Sequence, residues 1–433
     1  MKNKKIFYST LLVVYILMLA INTSQACSMY KITINGKTVV GCNEDAWRTT
    51  PRVWFETAKQ SNEYGAAFTG SRFDGGNGFA PQSGMNEAGL SFSRLQSYMP
   101  ENKTYNRDGK KSITNPTDLL KEILHRCKNV EEVKMYVEQY DYSFFMEDVF
   151  IYIDLTGKYL VVEPYKATIG YEASYVLSNF CPSITTENKA LKLDRYRNGV
   201  DFLKLKKDTT LSFYAALSDT MHVCRGKIGD GTLLTSIWNL NNKTFTLYFY
   251  HDYSHLVEFN LKNELAKGDH IIEIPTLFPV NEEFIKLHNY KIPKNSLTVM
   301  FFIIFAGLLF LFSSLFFLVN YFKTKQKNKY GYFKLIFVPF GIIMFYYMFL
   351  LATQKYIFYF PAPYTDPNST INSLASYLPI LLLLLIFPMI YLCLKIFKEK
   401  AWGRFAKWLL AFNILIYTIL ILFFVYWELL NIF

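Results

Sequence analysis

Hydrophobic residues change their spacing twice along the chain. Residues 1–26 start with three lysines and continue with an apolar stretch, residues 7–20, that is too short to span a bilayer comfortably. Residues 27–296 contain short alternating and helical patterns. Residues 297–433 contain four apolar runs without a formal charge, each long enough to cross ~30 Å of hydrocarbon. These runs are residues 297–322, 335–353, 374–394 and 408–427. We therefore expect a signal peptide, a folded domain and a four-helix membrane domain.

The middle part, residues 27–296, predicts antiparallel sheet combined with helices. Asn35-Gly36 is a strong hairpin signal and lies between strand-like stretches at residues 27–34 and 37–41. Apolar residues at helical spacing predict a helix over residues 118–140. Similar patterns predict hairpins over residues 147–163 and 243–261, the second with a loop at residues 251–255, and a helix over residues 194–205. This mixture favours an α+β fold over a doubly wound parallel one.

The net charge of +11 is confined to the regions beside the apolar segments. Residues 27–296 hold 32 basic and 32 acidic side chains, so no basic face remains to bind nucleic acid. Residues 297–433 hold 11 basic and three acidic side chains, and ten of the basic ones lie in residues 323–334 and 395–407. The positive-inside rule places those two loops in the cytoplasm, and residues 27–296, the loop at residues 354–373 and the C-terminus outside.

Ser24-Gln25-Ala26 offers the small residues of a signal-peptide cleavage site. Cleavage after Ala26 would make Cys27 the N-terminus, with a thiol and a free α-amine on one residue. An α-amine has a pKa of about 7.7–8.0, so it can accept the thiol's proton and later return one to a leaving amine. The six histidines show no metal-ligand spacing, and we interpret His251 and His255 as structural. We expect no metal and no cofactor.

Several motifs in one order resemble a known family. They are Cys27-Ser28-Met29, Gly41-Cys42-Asn43-Glu44-Asp45, Gly84 to Leu90, Asp154 to Lys158, Val176-Leu177-Ser178-Asn179 and Asp194-Arg195-Tyr196. Together they resemble the choloylglycine hydrolase family of N-terminal-nucleophile (Ntn) hydrolases, which includes bile salt hydrolases and penicillin V acylases. The resemblance spans roughly residues 27–260. It implies a four-layer αββα sandwich and hydrolysis of linear amide C–N bonds.

The resemblance also implies a role for five residues. Cys27 matches the nucleophile, and Asp45 matches the carboxylate that holds its amine and thiol. Asn179 matches the Asn beside the amine and the oxyanion, and Arg195 matches an Arg that supports the nucleophile electrostatically. Gln96 falls where the family has an Asn or Tyr that donates to the oxyanion. A donor of this kind is worth about 3–4 kcal/mol elsewhere.

Cys42 departs from the family pattern, because bile salt hydrolases have an Arg there, in the binding pocket. The absence of this Arg argues against bile salts as substrates. With Asn35-Gly36 as the turn, Cys42 pairs with Met29 and shares a face with Cys27, at a diagonal distance of about 7–8 Å. Cys42 is then either a small buried hydrophobe or, after a small movement, the partner of Cys27 in an oxidative off-switch. Residues 27–296 contain five cysteines, so at least one of them stays unpaired.

The expected partners are a small N-acyl amide substrate, the lipid bilayer and signal peptidase; a homo-oligomer stays open. Three alternatives also stay open: an uncleaved N-terminal anchor, a lipoprotein modified at Cys27, and a non-catalytic sensor or transport component that binds N-acyl amides. Lipidation would block both the amine and the thiol of Cys27 and end the catalytic interpretation.

Overall fold

The structure is a computed structural model that describes residues 27–46, 49–97, 109–205, 207–224, 231–324, 330–360, 362–366 and 369–430. The predicted signal peptide and its cleavage site lie outside these residues. The described residues form two compact units, an N-terminal unit of residues 27–289 and a C-terminal unit of residues 290–430.

The described part of the N-terminal unit is built on two large antiparallel sheets. In spatial order the first sheet contains β12 (Ser174–Leu177), β1 (Ser28–Ile34), β2 (Lys37–Ala46), β13 (Gly231–Asn239), β14 (Thr244–Phe249) and β15 (Asp252–Asn260). The second contains β11 (Lys166–Gly170), β10 (Tyr159–Glu163), β9 (Asp148–Ile153), β8 (Ser91–Gln96), β7 (Ser83–Asn86), β4 (Ala66–Gly70), β3 (Arg52–Glu56) and β16 (His270–Glu273). A short ribbon joins β5 (Arg72–Phe73) and β6 (Phe79–Ala80).

The helices of this unit are mostly short and amphipathic. They are α1 (Pro116–Arg126), α2 (Val130–Val137), α3 (Glu187–Ala190), α4 (Asp194–Leu205), α5 (Leu211–Met221), α6 (Leu261–Leu265) and α7 (Glu282–Asn289). The apolar sides of α1 and α2 are buried with side chains of the second sheet, including Leu120, Val133, Phe68 and Phe92. Those of α4 and α5 are buried with side chains of the first sheet, including Leu203, Leu217, Tyr30 and Ile237.

The two sheets face each other. Phe55 on β3 lies 5.7 Å, ring centre to ring centre, from Phe259 on β15, and the hydroxyls of Ser83 on β7 and Ser236 on β13 are 3.2 Å apart. Helices therefore cover the outer face of each sheet while the inner faces pack together. The α+β fold with a four-layer αββα order, expected from the sequence motifs, is confirmed.

The β1–β2 hairpin forms as the sequence predicts. Asn35 and Gly36 both have positive φ, 50° and 72°, which a two-residue type I′ turn requires. The turn sets the register, and Met29 pairs with Cys42 as expected. The hairpin at residues 147–163 and the helix at residues 194–205 are also present, as β9–β10 and α4.

The single helix predicted over residues 118–140 is wrong, because two helices replace it. Residue Cys127 is extended, and Asn129 caps the start of α2 by accepting a hydrogen bond from the Glu132 N–H at 2.9 Å. Asn86, the last residue of β7, donates to the carbonyl oxygens of Leu124 and Cys127 at 2.7 and 2.8 Å. These contacts satisfy the polar groups exposed by the break, which helical periodicity alone does not reveal.

The third predicted hairpin, residues 243–261, is present as β14–β15, but its turn is tighter than predicted. Tyr250 and His251 adopt positive φ, 51° and 46°, and β15 starts at Asp252. The predicted loop at residues 251–255 is therefore mostly strand, because two residues of left-handed backbone are sufficient to reverse the chain.

The C-terminal unit contains four helices, among the described residues, that are long and apolar enough to cross a membrane. They are α8 (Leu297–Lys323), α9 (Phe333–Thr353), α12 (Leu378–Lys398) and α13 (Arg404–Tyr426); two short helices, α10 (Tyr356–Tyr359) and α11 (Thr370–Ala375), precede α12. Their buried sides form one apolar core that includes Phe310, Tyr347, Leu382 and Tyr417. These helices overlap the four runs identified in the sequence.

Polar side chains inside this core make helix contacts. The Asn413 side-chain amide on α13 donates to the Ser313 hydroxyl on α8 at 2.8 Å. By contrast, the hydroxyl of Thr418 donates to the carbonyl oxygen of Ile414 in its own helix at 2.9 Å. Interhelical hydrogen bonds of the first kind help to hold helices together in lipid.

Candidate active site

Cys27 immediately precedes β1, where two strand ladders of the first sheet end. Neighbouring β1 residues pair with β2 on one side and with β12 on the other. The Cys27 side chain is buried, with its Sγ 3.9 Å from the Asp45 carbonyl oxygen. The Ser178 hydroxyl, just after β12, donates to the Cys27 carbonyl oxygen at 3.4 Å. The ends of β2 and β12 therefore meet at Cys27.

Asp45 and Arg195 form an ion pair inside the protein. The Arg195 Nη1 is 2.8 Å from the Asp45 Oδ2, and the two side chains are 4% and 1% exposed. The Thr232 hydroxyl on β13 donates to the other oxygen, Oδ1, at 2.7 Å. Both carboxylate oxygens thus have a donor, which is what a buried charge needs to be tolerated.

Asn179 joins the same network. Its Oδ1 accepts from the Arg195 Nη1 at 3.2 Å, and its Nδ2 donates to the Gln96 main-chain carbonyl at 2.7 Å. Arg195 therefore bridges the side chains of Asp45 and Asn179. Four of the residues singled out from the sequence, Cys27, Asp45, Asn179 and Arg195, are brought together although Asp45 and Arg195 are 150 positions apart.

Gln96 joins this network through its main-chain carbonyl, and a different glutamine presents its side chain to the sulfur. The Nε2 of Gln82 lies 3.4 Å from the Cys27 Sγ and also donates to the Arg94 carbonyl oxygen at 2.5 Å. Gln82 lies just before β7, where its N–H donates to the Thr69 carbonyl on β4 at 2.7 Å. No local sequence signal marks this residue, because three paired strands are needed to position it.

Burial controls the protonation of the thiol. It raises the pKa of Cys27 to about 12, and the negative charges of Asp45 and Glu44 act in the same direction. A backbone hydrogen bond with Asp45 and the Arg195 guanidinium oppose this rise only in part. The Cys27 thiol is therefore neutral near pH 7, and it needs an adjacent proton acceptor before it can attack a carbonyl group.

Glu44 is a buried carboxyl group that the sequence analysis did not single out as functional. It neighbours Asp45 on β2 but points the other way, towards the second sheet, because strand side chains alternate. The Thr69 and Ser83 hydroxyls both donate to its Oε1, the latter at 2.8 Å. Burial outweighs these two hydrogen bonds and raises the pKa of Glu44 to about 7.

Cys42 lies on the same inner face of β2 as Glu44. Its thiol is buried and shares a hydrogen bond with the Ser93 hydroxyl on β8 of the second sheet. Burial raises the pKa of this thiol to about 12 as well. Cys42 thus lines the space between the sheets, as a small buried side chain would.

No family model and no curated protein matches the chain. The chain is similar to solved structures of two variants of a conjugated bile acid hydrolase from Clostridium perfringens. Each is 18% identical and covers 59% of this chain and 97% of its own, with TM-scores of 0.44 and 0.43. It is also similar to a penicillin V acylase from Agrobacterium tumefaciens, which is 16% identical and covers 52% of this chain and 83% of its own, with a TM-score of 0.38. Bile salt hydrolases and penicillin V acylases are the enzymes that the sequence motifs resemble.

Proposed function

We propose that this protein is a membrane-anchored Ntn cysteine hydrolase that cleaves the amide bond of small linear N-acyl substrates outside the cytoplasm. The observation that carries the proposal is the buried constellation of Cys27, Asp45, Asn179 and Arg195, with the Gln82 amide 3.4 Å from the sulfur. The order of the family-like motifs and the four apolar helices support the same proposal.

The reaction starts when signal peptidase exposes the α-amine of Cys27. This amine takes the thiol proton while Sγ attacks the amide carbonyl carbon, and the carbonyl oxygen becomes an oxyanion. The amine nitrogen of the substrate then receives that proton and leaves, and a thioester to Cys27 remains. Water attacks the thioester with the α-amine as base, which releases the carboxylic acid and regenerates the thiol.

The neighbouring side chains have separate roles in this scheme. Asp45 would hold the α-amine of Cys27, and the ion pair with Arg195 fixes the position of its carboxylate. The Gln82 amide and the Asn179 amide are the donors available to the oxyanion, and a preorganised donor of this kind acts mainly on the transition state. The Cys27 thiol stays neutral until substrate and amine are both in place, which limits its oxidation.

The substrate class follows from the chemistry of the site rather than from the names of the similar structures. Cys42 contributes no positive charge where bile salt hydrolases have an Arg, so an anionic steroid conjugate is a poor candidate. A screen therefore compares conjugated bile acids and penicillin V with uncharged N-acyl amides of varied chain length. We expect the uncharged amides to be hydrolysed fastest.

The decisive experiment combines mass spectrometry of the mature N-terminus with amide hydrolysis by the full-length protein in detergent. We expect the mature chain to begin at an unmodified Cys27, and Cys27→Ser to abolish hydrolysis while the matched variant Cys127→Ser keeps it. An Ala26→Leu variant that resists cleavage should also be inactive, because residue 27 then has an amide nitrogen in place of an amine. A diacylglyceryl group on Cys27, or a different first residue, would refute the proposal.

The proposed topology is tested separately, by labelling intact cells with a membrane-impermeant maleimide. In a Cys224→Ser background, a cysteine introduced at Thr370 should be labelled, whereas one introduced at Lys400 should react only after permeabilisation. The reverse pattern would place the N-terminal unit in the cytoplasm and remove the route by which signal peptidase exposes Cys27.

A further inference from the structure

Three side chains with metal-binding atoms meet outside the proposed hydrolase site. The Cys224 Sγ, a ring nitrogen of His251 and a carboxylate oxygen of Glu283 lie within 4.8 Å of one another. In a tetrahedral zinc site with bonds of about 2.0–2.3 Å, the ligand atoms are roughly 3.3–3.8 Å apart. The three atoms therefore need to approach by only about 1 Å to share one ion.

The three residues come from separate elements that pack against each other. Cys224 follows α5 and forms a bridge with Gly231 at the start of β13; His251 lies in the β14–β15 turn, and Glu283 in α7. Phe284, next to Glu283, packs against Phe249 and Tyr250 at ring distances of 4.7 and 5.5 Å. Apolar packing thus holds α7 against the turn that carries His251.

The backbone conformation of the β14–β15 turn helps to place His251 close to Cys224 and Glu283. Tyr250 and His251 both have positive φ although neither is glycine, a conformation that costs energy and is often found at functional sites. The Tyr250 N–H donates to the Leu233 carbonyl at 3.0 Å, which anchors the turn to β13. The reversal of the chain at this turn places the His251 ring next to Cys224.

The combination of donors selects the kind of ion. A thiolate, an imidazole and a carboxylate are the ligands that zinc uses, whereas calcium and magnesium prefer oxygen atoms alone. Cys224 and Glu283 are exposed, so an ion can enter and water can occupy the fourth position. We propose that Cys224, His251 and Glu283 form a three-ligand site for Zn²⁺, completed by water.

Such an ion would act on the hydrolase site through a short chain of contacts. Val223, next to Cys224, donates its N–H to the Thr232 hydroxyl at 2.9 Å and accepts the Thr232 N–H at 2.7 Å. The Thr232 hydroxyl in turn donates to Asp45. A bound ion would therefore fix the segment that orients Asp45, and Cys224, His251 and Glu283 would be positioning residues rather than catalytic ones.

The test uses the full-length protein in detergent, stripped with EDTA and titrated with Zn²⁺ against a chromophoric chelator. We expect one tight site per chain. Substitution of the site with Co²⁺ should produce a thiolate-to-cobalt charge-transfer band and the intense visible bands of a four-coordinate ion. Neither readout depends on amide hydrolysis, so the proposal can fail or stand independently of the proposed function.

Variants decide which residues bind the ion. Cys224→Ser and Glu283→Gln should each weaken Zn²⁺ binding by more than about 100-fold, since even the loss of a group that only supports a ligand costs 10–100-fold. The matched controls are Glu282→Gln, on the same exposed helix turn, and His255→Ala, in the same hairpin; both should bind Zn²⁺ like the unmodified protein. Glu283 is exposed, so its variant should fold. Binding by Glu283→Gln equal to that of Glu282→Gln, or a cobalt band that vanishes with Cys27→Ser but persists with Cys224→Ser, would overturn the proposal.

Discussion

The ion pair between Asp45 and Arg195 makes a quantitative prediction about stability. Removing the guanidinium with Arg195→Met leaves the Asp45 carboxylate uncompensated among side chains that exclude water. Breaking a buried pair in this way destabilises a protein by about 3–5 kcal/mol, because the remaining charge keeps its desolvation penalty and loses its partner. For a unit of this size, each kcal/mol corresponds to roughly 2–4 °C in Tm.

A second ion pair serves as a control that tests whether burial, and not the distance between the two charges, determines the loss of stability. Arg52 and Glu273 form an ion pair with the same kind of geometry, 2.7 Å between nitrogen and oxygen, but the Glu273 side chain is 62% exposed. Arg52→Met should therefore cost no more than about 1 kcal/mol, since exposed pairs are screened by water and salt. Hydrogen-exchange mass spectrometry on peptides that cover β1, β2 and α4 measures the opening free energy of this unit within the full chain.

The double variant Asp45→Asn/Arg195→Met completes the cycle. It removes both charges, so it should recover most of the stability that Arg195→Met loses, while amide hydrolysis stays abolished. This outcome would distinguish a catalytic requirement for the pair from a merely structural one. Two results would contradict this reasoning: Arg195→Met no more destabilising than Arg52→Met, or a double variant no more stable than Arg195→Met. Either would show that Asp45 and Arg195 do not compensate each other as a buried ion pair.

Three further predictions concern single side chains. Gln82→Ala should lower kcat by about 10²–10³-fold if its amide donates to the oxyanion, whereas Gln96→Ala should lower it less than tenfold; equal losses would remove Gln82 from this role. The folded-state pKa of Glu44, about 7, lies above its ordinary value near 4.5, so its contribution to stability is complete below pH 4.5 and is lost as the pH rises through 7. The loss amounts to about 3 kcal/mol, and Glu44→Gln should flatten the stability profile over this interval; an unchanged slope in chemical denaturation would contradict the assignment. In the C-terminal unit, Asn413→Leu should weaken the bundle by about 1 kcal/mol in a detergent unfolding assay, whereas Thr418→Val, whose hydroxyl bonds within its own helix, should have a smaller effect.

Local patterns predicted those features that depend on neighbouring residues. The Asn35-Gly36 turn determined the register of β1 and β2, so the pairing of Met29 with Cys42 followed by counting. Periodicity located α4 correctly but joined α1 to α2, because the carbonyl groups at the break are satisfied by Asn86, more than 30 positions earlier in the chain. A helix end that is capped by a distant residue leaves no signal in the helical spacing.

The candidate site also combines residues that the sequence predicts with residues that only the fold brings together. Cys27 stands out from its place after a predicted cleavage motif, and the family resemblance predicts roles for Asp45, Asn179 and Arg195. Gln82 has no such mark: its approach to the sulfur depends on β4, β7 and β8 pairing in one sheet and on that sheet facing β1. No spacing along the chain predicts the meeting of Cys224, His251 and Glu283, because the three residues belong to separate elements that come together only in the folded protein.

The sequence by itself determined where apolar runs long enough to cross a bilayer lie and which loops carry the positive charge, and it predicts which residue presents a thiol and an amine after export. These properties are sums over local composition, and folding does not change them. Only the tertiary structure decided which side chains surround that thiol, that Glu44 faces the second sheet, and that Arg195 reaches both Asp45 and Asn179. Each of these depends on burial and on contacts between distant segments, which arise when the two sheets and their helices pack together.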